Sequence, residues 1–388
     1  MPQVTIINAD VLEGLRQLPS ESVDCIVTSP PYWGLRDYGV QNQIGLEPTL
    51  DQYLERLSAV TAELRRVLKP TGVMFWVHGD CYGGNGAGTW KNPPEKIESE
   101  EAYHLPYSSA LYPRRQQGRF AKCMMLQNYR LLLRLIDEQH WILRNIIVWH
   151  KPNPMPSGVR DRFTNAYEPI FMLVKERHYY FDLETIREPY AFSTLDRLKY
   201  PNEHRRNLGA GEYKIWTYPR GYLSGLGKNP GDVWTIPTQP FPEAHFATFP
   251  EALVERIIKA ACPPYICRKC GKPRERIVER KSLERYELPP DDPRYRPARY
   301  DKKYKNNNPQ RFSEHYTLGW TDCGCNAGWR PSVVLDPFLG SGTTALVAAK
   351  LQRDCIGIEL NPSYVEMAVR RLRRNVPLFL QLEVRNAV

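Results

Sequence analysis

Ser29-Pro30-Pro31-Tyr32-Trp33 sets a hydroxyl, two prolines and two aromatic rings directly after an apolar run. Proline fixes its own φ and carries no N–H. The carbonyls of this stretch therefore face little local competition, and the rings offer stacking faces. A hydroxyl and a carbonyl aimed at an amino group, with a ring beneath, are the parts that seat a planar base. The competing reading is a proline-rich turn with exposed aromatics. A second group, Asp336-Pro337-Phe338-Leu339-Gly340-Ser341-Gly342-Thr343-Thr344, follows the apolar run Val333–Leu335 and opens a helix. Glycines let a backbone approach a ligand closely, and a helix start presents free N–H groups. The lysine of a phosphate-binding loop is missing, since Thr343 stands where G-K-S/T needs it. Glu359 ends the next apolar run, where a carboxylate can hold ribose hydroxyls, although an acid there also suits a helix N-terminus. Loop and acid together imply a ligand with a ribose and no obligatory phosphate.

A third group consists of cysteines. Cys267-Arg268-Lys269-Cys270-Gly271 has the C-x-x-C-G form of a zinc knuckle, and Cys323-Gly324-Cys325 could complete a four-thiolate structural site. Free thiols and a disulfide pair stay open as alternatives. Cys262-Pro263-Pro264 has its cysteine before the prolines and after a helix rather than a strand, which argues against a nucleophile. Asp80, in Gly79-Asp80-Cys81-Tyr82, suits a turn or a supporting polar role.

The elements that must position these groups alternate between strand and helix at both ends of the chain. Val4–Asn8, Val23–Thr28 and Val73–His78 read as strands, with helices over Val11–Leu18 and Leu50–Leu68, the latter ended by Lys69-Pro70-Thr71-Gly72. A helix over Cys123–Glu138 and apolar runs at Asn145–Trp149 and Ile170–Val174 follow, then a helix over Phe249–Ala261. Strand Val333–Asp336, helix Thr343–Leu351, strand Cys355–Glu359 and helix Pro362–Arg373 close the series. Such alternation predicts a mostly parallel α/β sheet. Residues 83–119, rich in Gly, Pro and charge, read as a mobile loop. Periodicity also disappears over 183–240 and 263–330.

The pairing of Ser29-Pro30-Pro31-Tyr32 with the 336–344 loop resembles the DNA amino-methyltransferases that modify cytosine N4 or adenine N6. The catalytic motif precedes the cofactor motif, as in the circularly permuted β-class. Asn8-Ala9-Asp10, Trp149–Pro154, Arg162–Glu168 and His245–Pro250 extend the likeness. The resemblance implies a Rossmann-like S-adenosylmethionine-dependent methyltransferase sheet. Its catalytic half would be 1–182 and its cofactor half 331–388, with a helix returning to the core over 241–262. A target-recognition insertion at 183–240 would offer Arg205, Arg206, Lys214, Arg220 and Lys228 to DNA. A Cys-rich basic insertion at 263–330 would carry the interleaved run Arg294–Lys305. In this reading Ser29 Oγ and the Pro30 carbonyl hold the target amine, Pro31 shapes the turn, and Tyr32 stacks on a flipped base. Asp10, Asp336, Phe338, Gly340, Ser341, Gly342, Thr343 and Glu359 hold S-adenosyl-L-methionine, and no covalent enzyme intermediate forms. Serine at position 29 points to cytosine N4. Adenine N6, an inactive DNA-binding protein of the same fold, and a methyltransferase acting on RNA or protein are the alternatives.

Composition sets the outer limits. The chain has 388 residues and 42% hydrophobic content, enough for a large α/β domain with insertions. A formal charge of +10 suits a polyanionic partner without choosing one; the resemblance makes it double-stranded DNA, with a restriction endonuclease as the counterpart to look for. Nine mostly scattered cysteines suit a reducing cytoplasm. No apolar run reaches the length of a membrane span, and the first residues lack a signal-peptide pattern.

Overall fold

Val23–Thr28 is buried at all six positions, as expected of a strand covered on both faces. In the computed structural model, which describes residues 2–83, 122–154, 156–191, 227–239, 249–282, 313–376 and 380–386, it is the middle strand of nine. In chain order these are β1 (Gln3–Asn8), β2 (Val23–Thr28), β3 (Leu68–Val77), β4 (Ile142–His150), β5 (Tyr167–Val174), β6 (Val233–Thr235), β11 (Val333–Asp336), β12 (Asp354–Glu359) and β13 (Gln381–Asn386). The order across the sheet is β13-β1-β12-β11-β2-β3-β5-β4-β6. Pairing is parallel except where β5 runs against β3 and β4.

The chain divides into two compact units: Met1–Phe181, Gly231–Pro273 and Cys325–Val388 make the first, and Asp182–Pro230 with Arg274–Gly324 the second. The first contains the nine-stranded sheet and a small antiparallel pair, β7 (Tyr265–Cys267) with β10 (Trp329–Pro331). The second contains the hairpin of β8 (Arg276–Ser282) and β9 (Ser313–Trp320).

Alternation along the strands sends side chains to two cores. Cys25, Val27, Val73, Phe75 and Val77 pack with helices α4 (Glu251–Ala261), α5 (Thr343–Lys350) and α6 (Pro362–Asn375) on one face. Ile26, Met74 and Trp76 pack with α1 (Val11–Arg16), α2 (Leu50–Val67) and α3 (Gln127–Asp137) on the other, and Val23 joins them because the register shifts between Val23 and Cys25. Caps begin these helices where the sequence supplies them: Asp10 Oδ1 accepts from Leu12 N at 2.9 Å, and Asn361 Oδ1 from Ser363 N at 2.9 Å.

Three boundaries differ from the sequence reading. β3 starts at Leu68, with no intervening turn, because Lys69 is drawn inward to Asp24 of β2 at 2.6 Å. Val233–Thr235, within the stretch read as a recognition insertion, pairs with β4 and belongs to the main sheet. β13, which shows no apolar run, pairs in parallel with β1. Residues 84–119 of the loop, Arg205, Arg206, Lys214, Arg220, the run 294–305 and residues 245–248 lie outside the described residues.

Candidate active site

Four adjacent parallel strands, β1, β12, β11 and β2, end on one edge of the sheet. Their carboxyl ends deliver Asp10, Glu359, the 336–344 loop and Ser29–Tyr32 side by side. Strand β2 leads toward α2 on one face and β11 into α5 on the other, so the crevice between them is a topological switch point. It opens into a cleft walled by Asp10, Ser29, Pro30, Pro31, Tyr32, Phe338, Gly340, Ser341, Thr343 and Glu359, together with Phe249, Asn361 and Tyr364.

Asp336 and Gly342 are not in that wall; they shape it from beneath. Asp336 is 1% exposed. Its Oδ1 accepts from Thr28 Oγ1 at 2.7 Å and Phe338 N at 3.1 Å, and its Oδ2 from Thr344 Oγ1 at 2.6 Å. One carboxylate thus ties the residue before Ser29 to both ends of the glycine loop. Burial raises its pKa to about 6, against those three hydrogen bonds. Gly342 has φ 79° and precedes α5, where a Cβ would sit 2.9 Å from Ala368 Cβ of α6.

Glu359 accepts from Gly340 N and Asn361 N, each at 2.8 Å. It therefore fixes the loop as well as facing the cleft. Burial pushes its pKa to about 7. On the β2 side, Tyr32 donates its phenol proton to Glu168 Oε2 at 3.0 Å, and Glu168 Oε1 pairs with Lys151 Nζ at 2.5 Å. The ring lies against Gly79, whose absent Cβ would stand 2.7 Å from Tyr32 Cε2. A hydroxyl and carbonyls from one strand end thus face an acid and a glycine loop from its neighbours.

A sequence model of the DNA methylase family, of the N6/N4 type, matches residues 23–269 and 296–370. The chain belongs to this family. It is 34% identical to the type II methyltransferase M.Cfr9I of Citrobacter freundii, over 95% of this chain and 87% of that one. With the type II methyltransferase M.SmaI of Serratia marcescens it shares 31%, over 95% and 90%. A solved structure described as PvuII DNA methyltransferase (cytosine-N4-specific) shares the fold, with a TM-score of 0.52 at 17% identity over 96% of this chain and 86% of that one.

As a DNA methylase the protein takes its methyl group from S-adenosylmethionine, and the cleft fits that group. Its wall carries two carboxylates, Asp10 and Glu359, against one basic side chain, Arg36, among the described residues. That balance suits a sulfonium cation with a ribose better than a polyphosphate. Phe338 and Tyr364 supply aromatic surface; Phe338 meets Trp76 edge-on at 6.3 Å.

Several residues of the methylase site carry no motif signal. Arg371, on α6, donates to Thr343 Oγ1 at 2.8 Å and Ser341 Oγ at 3.2 Å while pairing with Glu251. Tyr53 and His78 lie buried under the tetrapeptide. Lys151 and Glu168 were visible only as members of longer motifs. Asp80 caps α3 by accepting from Leu126 N and Gln127 N, and Cys262 is buried against Ser332 Oγ at 3.0 Å. Within the first unit the sulfurs of Cys267, Cys270 and Cys325 lie within 4.8 Å of one another, a group that could hold a metal ion. No helix among the described residues is long and apolar enough to cross a membrane.

Proposed function

We propose that this methyltransferase modifies N4 of cytosine in duplex DNA, by base flipping and direct transfer. The observation that carries the reading is Ser29, a neutral hydroxyl on the cleft wall beside the Pro30 carbonyl, at the end of the strand that adjoins the cofactor loop. Bound S-adenosylmethionine supplies an electrophilic methyl group. An exocyclic amine is a poor nucleophile because its lone pair is delocalised into the ring. Accepting its two N–H bonds at Ser29 Oγ and Pro30 O favours a pyramidal nitrogen and aims the lone pair across the cleft. That is positioning plus fixed dipoles; the methyl carbon would leave sulfur as it joins nitrogen, and the surplus amine proton would pass to water. Tyr32, anchored through Glu168, presents the stacking face for a base withdrawn from the helix. A hydroxyl at position 29 tolerates the ring acceptor beside the target amine, N3 in cytosine and N1 in adenine, and it is serine in place of aspartate at this position, by resemblance to the family, that points to cytosine.

Asp10, Glu359, Phe338 and the 340–343 backbone would hold the cofactor, shaped by Asp336 and Gly342. The four-cysteine group would hold a structural zinc ion. Zn–S bonds of about 2.3 Å give sulfur–sulfur edges of roughly 3.8 Å, within the 4.8 Å limit observed among Cys267, Cys270 and Cys325. The relatives are named type II methyltransferases, and we infer a restriction endonuclease of matching site as the partner activity. Nucleoside mass spectrometry of DNA treated with the purified enzyme decides the base. N4-methylcytosine is expected, and N6-methyladenine alone would overturn the assignment.

A further inference from the structure

Two carbonyls of the tetrapeptide, those of Pro30 and Pro31, belong to successive peptide units, yet they are treated differently. Pro31 O accepts from Tyr53 Oη of α2 at 2.8 Å. Among the described residues, no protein donor reaches Pro30 O. Tyr53 is itself 0% exposed, and its hydroxyl oxygen lies 3.0 Å from Nε2 of His78, also 0% exposed. The other ring nitrogen of His78, Nδ1, lies 3.3 Å from Trp76 Nε1.

Donor inventory fixes every proton in this row. An indole nitrogen can only donate, so Nδ1 of His78 accepts. A neutral imidazole then carries its proton on Nε2 and donates to the Tyr53 oxygen. The single phenol proton of Tyr53 is left with one destination, Pro31 O. The imidazole stays neutral because burial drops its pKa to about 3. Its backbone is held as well: His78 N donates to Pro169 O at 3.2 Å, and His78 O accepts from Asn128 Nδ2 at 2.8 Å.

We propose that Tyr53 is a positioning residue for methyl transfer. The one-way row Trp76→His78→Tyr53→Pro31 occupies one carbonyl of the tetrapeptide and leaves the Pro30 carbonyl as the acceptor offered to the target amine. This rests on the reading that the tetrapeptide holds that amine. Without the phenol, Pro31 O becomes a second, part-buried acceptor that competes for the same N–H, and the peptide plane loses its anchor. Small displacements of a reacting group cost rate far more than they cost ground-state binding.

The test is Tyr53→Phe, which removes only the hydroxyl, assayed on duplex DNA beside the wild type. A fall in kcat of about 10- to 100-fold is expected, with the KM for DNA and the calorimetric Kd for S-adenosylmethionine within about 3-fold, since Tyr53 is not part of the cleft wall. Wild-type kcat in the variant overturns the proposal, as does an equal loss carried by KM or Kd. A wild-type enzyme that does not methylate duplex DNA would fail the functional reading instead. A second measurement reads the wild-type protein itself and needs a variant only for assignment. In 15N-histidine-labelled wild-type protein, with His78 assigned by loss of its signals in His78→Gln, the ring should be the Nε2–H tautomer and should not titrate down to about pH 4.5. An Nδ1–H tautomer, or titration near the ordinary histidine value of about 6.5, would reverse the row and overturn the inference.

Discussion

Ser29 and Tyr32 line the cleft on the side of the tetrapeptide, away from the glycine loop, so their loss should separate chemistry from cofactor binding. Ser29→Ala and Tyr32→Ala are each expected to lower methyl transfer roughly 100-fold or more, with S-adenosylmethionine affinity near wild type by calorimetry. Unchanged turnover in both variants would remove the tetrapeptide from the mechanism. Glu359 makes a pH prediction. Its folded-state pKa of about 7 lies above the ordinary 4.5 because burial disfavours the charge. The stability this group contributes to the free protein is therefore complete below about pH 4.5 and lost as pH rises through about 7. Ligand affinity should run the opposite way, because the ionised carboxylate is the better acceptor for ribose hydroxyls. Titrations between about pH 5.5 and 8.5 should show affinity rising for the wild type and a flattened slope in Glu359→Gln. A wild-type affinity that is flat or falls with pH would contradict the ribose role.

At the scale of the element, the glycine loop and α5 owe their placement to contacts that polarity patterns do not encode. Gly342→Ala would combine a left-handed backbone with a Cβ against Ala368. It should cost about 1–3 kcal/mol in urea unfolding, and an unshifted midpoint would show that α6 gives way. Gly340→Asp sets a second carboxylate beside the N–H that Glu359 holds, so S-adenosylmethionine affinity should fall sharply. Wild-type affinity there would detach the loop from the cofactor. The same contacts explain what the sequence revealed. Val23–Thr28 and Val333–Asp336 were legible because strands buried on both faces are short apolar runs. The paired motifs at their ends were legible because the residue types are unusual. Tyr53 and His78 were not, since one sits in the apolar stripe of α2 and the other just beyond a buried strand, where patterning reads both as core. The Lys69 strand start was hidden because its partner, Asp24, lies on another element. β6 and β13 are short or polar, as edge strands tend to be. Asp336 reads in the sequence as a cofactor residue of the loop, whereas in the structure its oxygens turn inward to Thr28 and Thr344, contacts no local pattern encodes.

For the whole molecule, the cysteine group offers a measurement independent of catalysis. Purified protein should contain about one zinc per chain by elemental analysis. Removal by a strong chelator should lower the thermal midpoint, as should Cys267→Ser or Cys323→Ser, because metal affinity is folding free energy when the site forms only in the native state. A metal-free preparation with an unchanged midpoint after chelation would leave four thiols and no site.

The order of strands across the sheet has a consequence for how the protein is made. β1 and β2 are consecutive in the chain, yet β12 and β11 lie between them. On the ribosome, the early strands emerge around a slot two strands wide, with apolar rims and unpaired backbone, that only the distal part of the chain can fill. Thr28 and Asp336 are separated by 308 positions, which at 5–20 residues per second is a wait of about 15 to 60 s. Throughout that interval the nascent chain exposes sticky edges and needs shielding against aggregation. Its two motifs can meet only when the insertion of β11 and β12 closes the gap, so methylating activity should arrive in one step, late in synthesis, with no partially active fragment before it.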